Sequence, residues 1–276
     1  MYKGTMKFGL HPSPKDNRDF LVCNFLEKQK IPDKFSIRDE MSPVISQGQE
    51  GSCAGQAGDG IKEYQEMVEY GSFHDFSSRF LYERAKKISG HKEGTTLRAI
   101  CKVLKDDGIC YEEEWPYIPN SVGEPKPTAL ETAYQYRIES FGRITSLDEL
   151  KESIFSLGAV LIGIEVFKGM ISEDCKKTGI VPEPTCFQRP LGGHALVACG
   201  YDDNMSYWKN PGGVIVKNSW GKKYGDEGFN FLSYNFIKKH MIDAYSLVDV
   251  KIDDHIKTVM DLAKYDRDNV WRRGLA

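Results

Sequence analysis

The chain contains no Cys-x-x-Cys pair, so its 7 cysteines do not follow a zinc-binding spacing. No apolar run approaches the roughly 20 residues a helix needs to span a bilayer, so a membrane-spanning helix is not expected. Neither sign of charge is in excess. With 37 basic and 40 acidic residues the net charge is −3, which argues against nucleic acid or an anionic membrane surface as the main partner. The N-terminus, Met1 to Phe8, lacks the apolar core and small-residue cleavage site of a signal peptide, which favours a cytoplasmic location. No internal repeat or low-complexity tract is present, and no motif calls for a cofactor or a metal. What remains is a 276-residue chain with 40% hydrophobic and 12% aromatic residues, enough for a substantial core in one large domain or two lobes.

The first half reads as helical. Ala57, Ile61, Tyr64 and Val68 recur at helical spacing from Ser52 to Tyr70, and Gly71 is a stop signal. Gly55, Gly58 and Gly60 inside this helix each cost roughly 1 kcal/mol against alanine, which points to close packing around a central buried helix. Further helices are expected over Ser77 to Ser89 and Thr96 to Asp107, closed by Gly90 and Gly108. A proline-containing loop from Trp115 through Pro127 is the best lobe boundary. After it, Ser146 to Glu149 has the form of a capping box opening a helix to Leu157. Strands are expected at Ala159 to Val166, His194 to Tyr201, Val214 to Asn218, Gly228 to Tyr234 and Ala244 to Val250. Helices first and strands second argue for an α+β fold with two packed lobes. Residues 1–31 form a turn-rich arm with an apolar patch at Phe20, Leu21, Val22 and Phe25, and 251–276 a charged tail in which Ile256, Val259, Met260 and Ala263 make a modest apolar face.

Chemistry concentrates in the run Gln47-Gly48-Gln49-Glu50-Gly51-Ser52-Cys53. A cysteine at a helix N-terminus lies at the positive end of the macrodipole, which favours thiolate. Gly51 lets another backbone approach closely, and Gln47 is placed to aim its amide at an oxyanion beside the Cys53 N–H. Taken alone, Cys53 reads equally as a small buried apolar residue. A nucleophile needs a base and a group to orient it. Among 6 histidines, His194 stands out: it follows Leu191-Gly192-Gly193 and opens the apolar run Ala195 to Ala198. His11, His74, His91, His240 and His255 sit in polar, solvated contexts. Asn218, in Lys217-Asn218-Ser219-Trp220-Gly221, has a side-chain oxygen suited to accepting the imidazole Nδ1–H, and Trp220 can cover that bond from water. By themselves His194 and Asn218 also fit a core histidine and a turn residue.

Order and spacing join them. His194 lies 141 positions after Cys53, within the roughly 130–150 of papain-like peptidases. The series Gln47, Cys53, His194, Asn218-Ser219-Trp220-Gly221 resembles the papain/cathepsin family of cysteine peptidases. Phe76 to Tyr82, Gly94 to Leu97, Gly200-Tyr201-Asp202 and Gly225 to Phe229 are similar to that family as well, so the resemblance covers about Pro32 to Val250. It implies a peptidase domain over 32–250, with a helical left lobe at about 45–120 and an antiparallel, β-barrel-like right lobe at about 121–250 around an active-site cleft. It further implies that Cys53 is the nucleophile, His194 its imidazolium partner, Asn218 the orienting group and Gln47 an oxyanion donor. Gly51, Gly94, Gly193 and Trp220 would meet an extended peptide. Gly94, Thr96, Gly163 and Ala195 would surround a roomy pocket, preferring bulky apolar residues, for the second residue before the scissile bond.

The sequence departs from the family at Ala54, where Trp is usual, and at Glu50, where secreted members have a disulfide cysteine. Tyr224 also stands where Trp is common, and no long helical propeptide is evident. These departures suggest a divergent, microbial-type member with mostly reduced cysteines, Cys175 and Cys186 being the likeliest exception. A peptide or protein substrate is expected. Two alternatives stay open: a catalytically silent peptide-binding pseudo-peptidase, and an isopeptidase or acyl transferase using the same site. The arm either wraps a lobe or lies along the cleft and restrains activity.

Overall fold

The computed structural model describes residues 7–17, 19–24, 26 and 30–249. The charged tail at 251–276 lies outside them, as do Phe25 and Val250. In chain order the elements are β1 (Lys34–Ser36), α1 (Cys53–Tyr70), α2 (Ser78–Ser89), α3 (Leu97–Asp106), α4 (Ala129–Gln135), β2 (Ile138–Arg143), α5 (Leu147–Leu157), β3 (Val160–Val166), α6 (Glu173–Thr178), β4 (Gly192–Asp202), β5 (Gly213–Lys217), β6 (Phe229–Ser233), α7 (Tyr234–His240) and β7 (Met241–Asp249). None of the described helices is long and apolar enough to cross a membrane.

Local chemistry explains the helix starts. The Ser77, Thr96 and Ser146 side chains each accept a backbone N–H three residues on, the standard way to satisfy a first-turn donor. The Ser146 box is half formed: the Glu149 carboxylate accepts the Thr145 N–H at 2.6 Å rather than returning to Ser146. Ser52 behaves differently again. Its hydroxyl does not cap α1 but pairs with the Tyr117 hydroxyl at 2.5 Å. The first turn of α1 therefore keeps its N–H groups free of a side-chain cap, beside Cys53.

A seven-stranded antiparallel sheet carries the order β2-β7-β3-β4-β5-β6, with β1 added along the far half of β4. The expected barrel-like lobe is not formed. The sheet stays open, with β2 and β6 at its ends, because helices cover both of its faces. Alternation along the strands separates two cores. Leu161, Ala195, Val197, Cys199 and Tyr245 face α1, α2 and α3, whereas Val160, Ile162, Leu196, Ala198 and Val216 face α5 and α7. Each fully buried aliphatic side chain contributes roughly 1.5–3 kcal/mol. α4 was not anticipated; it buries Ala129 and Ala133 in the first core.

α1 is the buried centre the glycines suggested. A Cβ on Gly55 would lie 2.8 Å from the Ser78 carbonyl oxygen, and one on Gly58 2.5 Å from Ile100. Val68 is the exception to the expected face, being about half exposed near the end of the helix.

All seven cysteines are free thiols in this structure. The expected Cys175–Cys186 exception is not formed, since Cys175 is buried in the second core while Cys186 sits on an exposed loop. An ion pair takes the place of the missing staple at Glu50. Its carboxylate receives both terminal nitrogens of Arg79 at 2.7 Å, and Arg79 is fully buried. Burial alone would raise the Glu50 carboxyl, but Arg79 and the Asn120 N–H hold it below its ordinary 4.5. This contribution is present above pH 4.5 and is lost as pH falls through the lowered value. Glu50→Ala should therefore cost about 1.5–3 kcal/mol at pH 7, because it removes the charged hydrogen bonds to Arg79 and leaves that buried guanidinium to Glu83 and the Ile118 carbonyl. Urea unfolding at neutral pH and again in acid checks this; equal stabilities of the two proteins at neutral pH would refute the anchoring role.

Candidate active site

Cys53 opens α1, and the neighbouring strands bring the other nominated residues to it. Val197 lies opposite Lys217 in the β4–β5 ladder. Continuing that antiparallel register sets His194 and Asn218 as diagonal neighbours on one face, with Trp220 opposite His194. The side chains follow this placement. His194 Nε2 lies 2.9 Å from Asn218 Oδ1. The expectation named Nδ1; the structure corrects it to Nε2, because the ring enters from β4 with Nε2 toward β5. Nδ1 is left without a hydrogen-bond partner. Trp220 stacks on His194 with centroids 4.5 Å apart and planes 24° apart. Asn218 is held in turn by donating to Asn230 Oδ1 at 2.8 Å. Cys53 is fully buried, with the N–H groups of Ala195 and Gly9 directed at its sulfur.

Gln47 is fixed from both sides. Its Oε1 accepts the Ser219 hydroxyl at 2.7 Å, and its Nε2 donates to the Glu50 carbonyl at 2.8 Å and to the Lys7 carbonyl at 3.3 Å. Ser219 and Asn230 were not nominated from the sequence. Ser219 was visible inside the Asn-Ser-Trp-Gly run, whereas Asn230 gave no signal. Lys217, the last residue of β5, is buried against α1, its ammonium 2.6 Å from Ser42 Oγ and near Asp59 and Glu63.

The cleft is filled by the arm. A Cβ on Gly9 would lie 1.8 Å from the Gly51 carbonyl oxygen, and one on Gly94 2.1 Å from the Gly9 carbonyl oxygen. Only glycine on both sides allows this approach. Leu10 N–H donates to the Gly193 carbonyl at 3.1 Å, Thr95 N–H to the Gly9 carbonyl at 2.9 Å, and His11 N–H to the Thr95 carbonyl at 2.9 Å. The Leu10 side chain lies 2.4 Å from where a Gly163 Cβ would be, with Leu97 beside it. Phe8 packs against Gly192 and, 6.3 Å away, the Trp220 ring. Gly51, Gly94, Gly163, Gly193 and Trp220 thus all meet a peptide, and Ala195 supplies an N–H to the sulfur. Thr96 differs: its hydroxyl caps α3, and the next residue, Leu97, faces the pocket. Four histidines read as solvated have partners instead, and of these His11 stacks on His91 at 3.9 Å. His74 and His240 are hydrogen-bonded to Tyr111 and Glu165. His255 lies outside the described residues. Further along, Val22 is fully buried in the second core while Phe20 is largely exposed.

A model of the papain family cysteine proteases matches residues 31–248. The chain belongs to that family. It is a papain-like cysteine peptidase, a hydrolase. An uncharacterized peptidase C1-like protein of Acanthamoeba polyphaga mimivirus is 29% identical over 267 residues, covering 84% of this chain and 83% of that protein. Cathepsin S of Bos taurus is 28% identical, with 75% of this chain matched to 61% of the relative. Among solved structures, xylellain, a cysteine protease from Xylella fastidiosa, superposes with a TM-score of 0.77 at 25% identity, covering 90% of this chain and 98% of that one. Digestive procathepsin L 3 of Tenebrio molitor shares the fold with a TM-score of 0.66 at 19% identity, over 90% of this chain and 76% of its own.

Burial under the arm changes the electrostatics expected of a thiolate–imidazolium pair. It pushes the Cys53 thiol above its ordinary value, which the N–H groups of Ala195 and Gly9 only partly offset. It pushes His194 down to about 4, against the upward pull of the Asn218 hydrogen bond. Both shifts favour the neutral forms of the two groups. In the intact chain, His194 should stay neutral through the physiological range and take a proton only near pH 4. Asn218→Ala should lower that value further. A histidine-resolved NMR titration reads both, and a His194 midpoint near 6.5 in the intact chain would show that the site is not desolvated.

Proposed function

We propose that the protein cleaves peptide bonds through a Cys53–His194 pair and an acyl-enzyme intermediate, and that its own N-terminal arm holds it inactive until displaced. The observation that carries this reading is an arm backbone seated against Gly51, Gly94 and Gly193 beside the buried Cys53, with His194 held by Asn218 and Trp220.

The steps follow from the geometry. With the cleft open to water and substrate, the desolvation that keeps the pair neutral is relieved, and the uncapped N-terminus of α1 favours the thiolate. Cys53 sulfur attacks the scissile carbonyl carbon. The oxygen gains negative charge facing the Gln47 Nε2–H and the Cys53 N–H. His194, oriented by Asn218 and covered by Trp220, gives its proton to the leaving amine. Water, deprotonated by His194, then releases the acid product and the thiol. Trp220 and Asn230 act through the Asn218 hydrogen bond, and Ser219 through Gln47.

The arm is a peptide in the site but not a substrate. The Gly9 N–H acts on the Cys53 sulfur and lowers its pKa. The Gly9 oxygen is turned away to Thr95 N–H, and the Gln47 amide is engaged by Lys7. The Gly9 and Lys7 carbonyls are both engaged by groups of the cleft, so the seated arm occupies the place a substrate needs. Leu10 in the Gly163–Leu97 pocket supports an aliphatic preference for the second residue before the scissile bond.

Cys53→Ala and His194→Ala should abolish peptide cleavage, and Gln47→Ala should lower kcat by about 10²–10³. Full activity in the Cys53→Ala protein would end the reading. Gly9→Ala separates inhibition from wrapping: the added methyl cannot fit against Gly51, while the Val22 anchor stays in place. Its kcat/KM on a short peptide should rise at least about tenfold, the factor for a mere 1.4 kcal/mol loss of arm binding. An unchanged kcat/KM in a folded Gly9→Ala protein, and in a truncation starting near Lys30, would make the arm a structural wrap.

A further inference from the structure

Beyond Leu10 the arm continues across α3. Ser13 N–H donates to Asp243 Oδ2 at 2.7 Å, and the Arg98 N–H donates to Ser13 Oγ at 3.3 Å. The Arg98 guanidinium holds both the Pro14 carbonyl and the Asp19 carboxylate. Asp19 also lies 3.9 Å from Arg143. Beside this crossing is an open cavity of about 740 Å³, whose charged lining is Asp16, Asp19, Arg98, Lys102, Lys105 and Glu139.

The origin of those charges is uneven. Arg98, Lys102 and Lys105 recur at spacings of four and three along α3, so they form one stripe on one face. Two of the three carboxylates, Asp16 and Asp19, belong to the arm. When the arm leaves, the cavity keeps three cations against Glu139 alone. Lys102 and Lys105 are exposed, so they fill no packing role in the core.

We propose that this stripe is a second recognition surface, which takes an acidic stretch of the substrate upstream of the scissile bond and for which Asp16 and Asp19 stand in. This rests on the peptidase reading above. The occupant follows from charge complementarity and from chain geometry. Leu10 fills the pocket assigned to the second residue before the scissile bond, and the arm travels from there away from Cys53 to Arg98. A substrate strand entering the same groove has its more N-terminal residues there. Asp16 and Asp19 lie six and nine positions from Leu10. Acidic residues at about that distance before the pocket residue therefore reach the stripe, and in binding it they compete with the arm for Arg98.

The test uses the full chain carrying Cys53→Ala, Gly9→Ala, Asp16→Asn and Asp19→Asn, which opens the cleft and frees Arg98 without cleavage. Two dye-labelled peptides share a Leu at the pocket position; one has Asp and Glu in the preceding ten residues, the other Ser and Gly. Fluorescence anisotropy should give a Kd about tenfold lower for the acidic peptide, the yield of two or three exposed charge pairs. Lys102→Glu with Lys105→Glu, or 0.5 M salt, should erase the difference while leaving the neutral peptide unchanged. Equal Kd values for the two peptides overturn the proposal. So does a preference for a single-stranded oligonucleotide over the acidic peptide, which would make nucleic acid the occupant. In the Gly9→Ala chain with Cys53 intact, hydrolysis of a short substrate whose first residue is the pocket residue should be unaffected by the Lys102 and Lys105 changes. Failure of that hydrolysis contradicts the peptidase reading, whereas equal peptide affinities contradict only the acidic groove.

Discussion

The structure turns on one close approach: Gly9 of the arm lies between the backbones of Gly51 and Gly94, where neither side tolerates a Cβ. From that contact the rest follows. The arm backbone completes hydrogen bonds to Gly193 and Thr95 on the two walls of the cleft. Leu10 enters an aliphatic pocket and Phe8 approaches Trp220. Beneath it, burial raises the Cys53 thiol and lowers His194, both shifts favouring the neutral forms, because a low local dielectric penalises charge. One short segment thus fills the cleft above a buried thiol and a buried imidazole, the arrangement on which the proposed self-inhibition rests.

The scaffold behind it keeps the parts in register rather than generating the chemistry. α1 carries Cys53, and the β4–β5 ladder carries His194 and Asn218. These two layers are joined through the first core and through Lys217, whose buried ammonium reaches from β5 to Ser42 beside α1. A buried charge costs several kcal/mol of desolvation unless it is well paired, so this tie fixes geometry more than it adds stability. The Glu50–Arg79 pair plays a similar part on the other side, anchoring the turn between Gln47 and Cys53 to α2. The charge-paired anchor holds this turn without a disulfide, all seven cysteines being free thiols.

Much of this was legible in the sequence because it is local. Ser77, Thr96 and Ser146 mark helix starts through bonds spanning three residues, and the glycines of α1 announce its burial. Gln47, Cys53, His194 and Asn218 could be nominated from order and spacing alone. What was missed depends on contacts far apart in the chain. β1 and β2 are strands because β4 and β7 offer them edges, not because Lys34 to Ser36 or the Gly142-containing Ile138 to Arg143 alternate strongly. The open sheet reflects helices covering both faces. Which imidazole nitrogen faces Asn218 depends on the entry angle of the ring. The arm's route is set by partners 42 or more positions away in the Gly9, Leu10 and His11 contacts. The sequence alone could therefore suggest that the arm might reach a cleft, but not that glycine would meet glycine there.

The most direct test of the account is the pH dependence of Cys53 alkylation by iodoacetamide, followed by mass spectrometry of the Cys53 peptide so that exposed Cys23 and Cys186 do not interfere. In the intact chain the rate should stay low through neutral pH and climb only above the ordinary thiol value of 9.0, because burial raises Cys53. In the Gly9→Ala chain the rate should already be high at neutral pH and persist into the acid range, as expected of a thiolate paired with imidazolium. Superimposable profiles for the two folded proteins would contradict the claim that the arm silences the site.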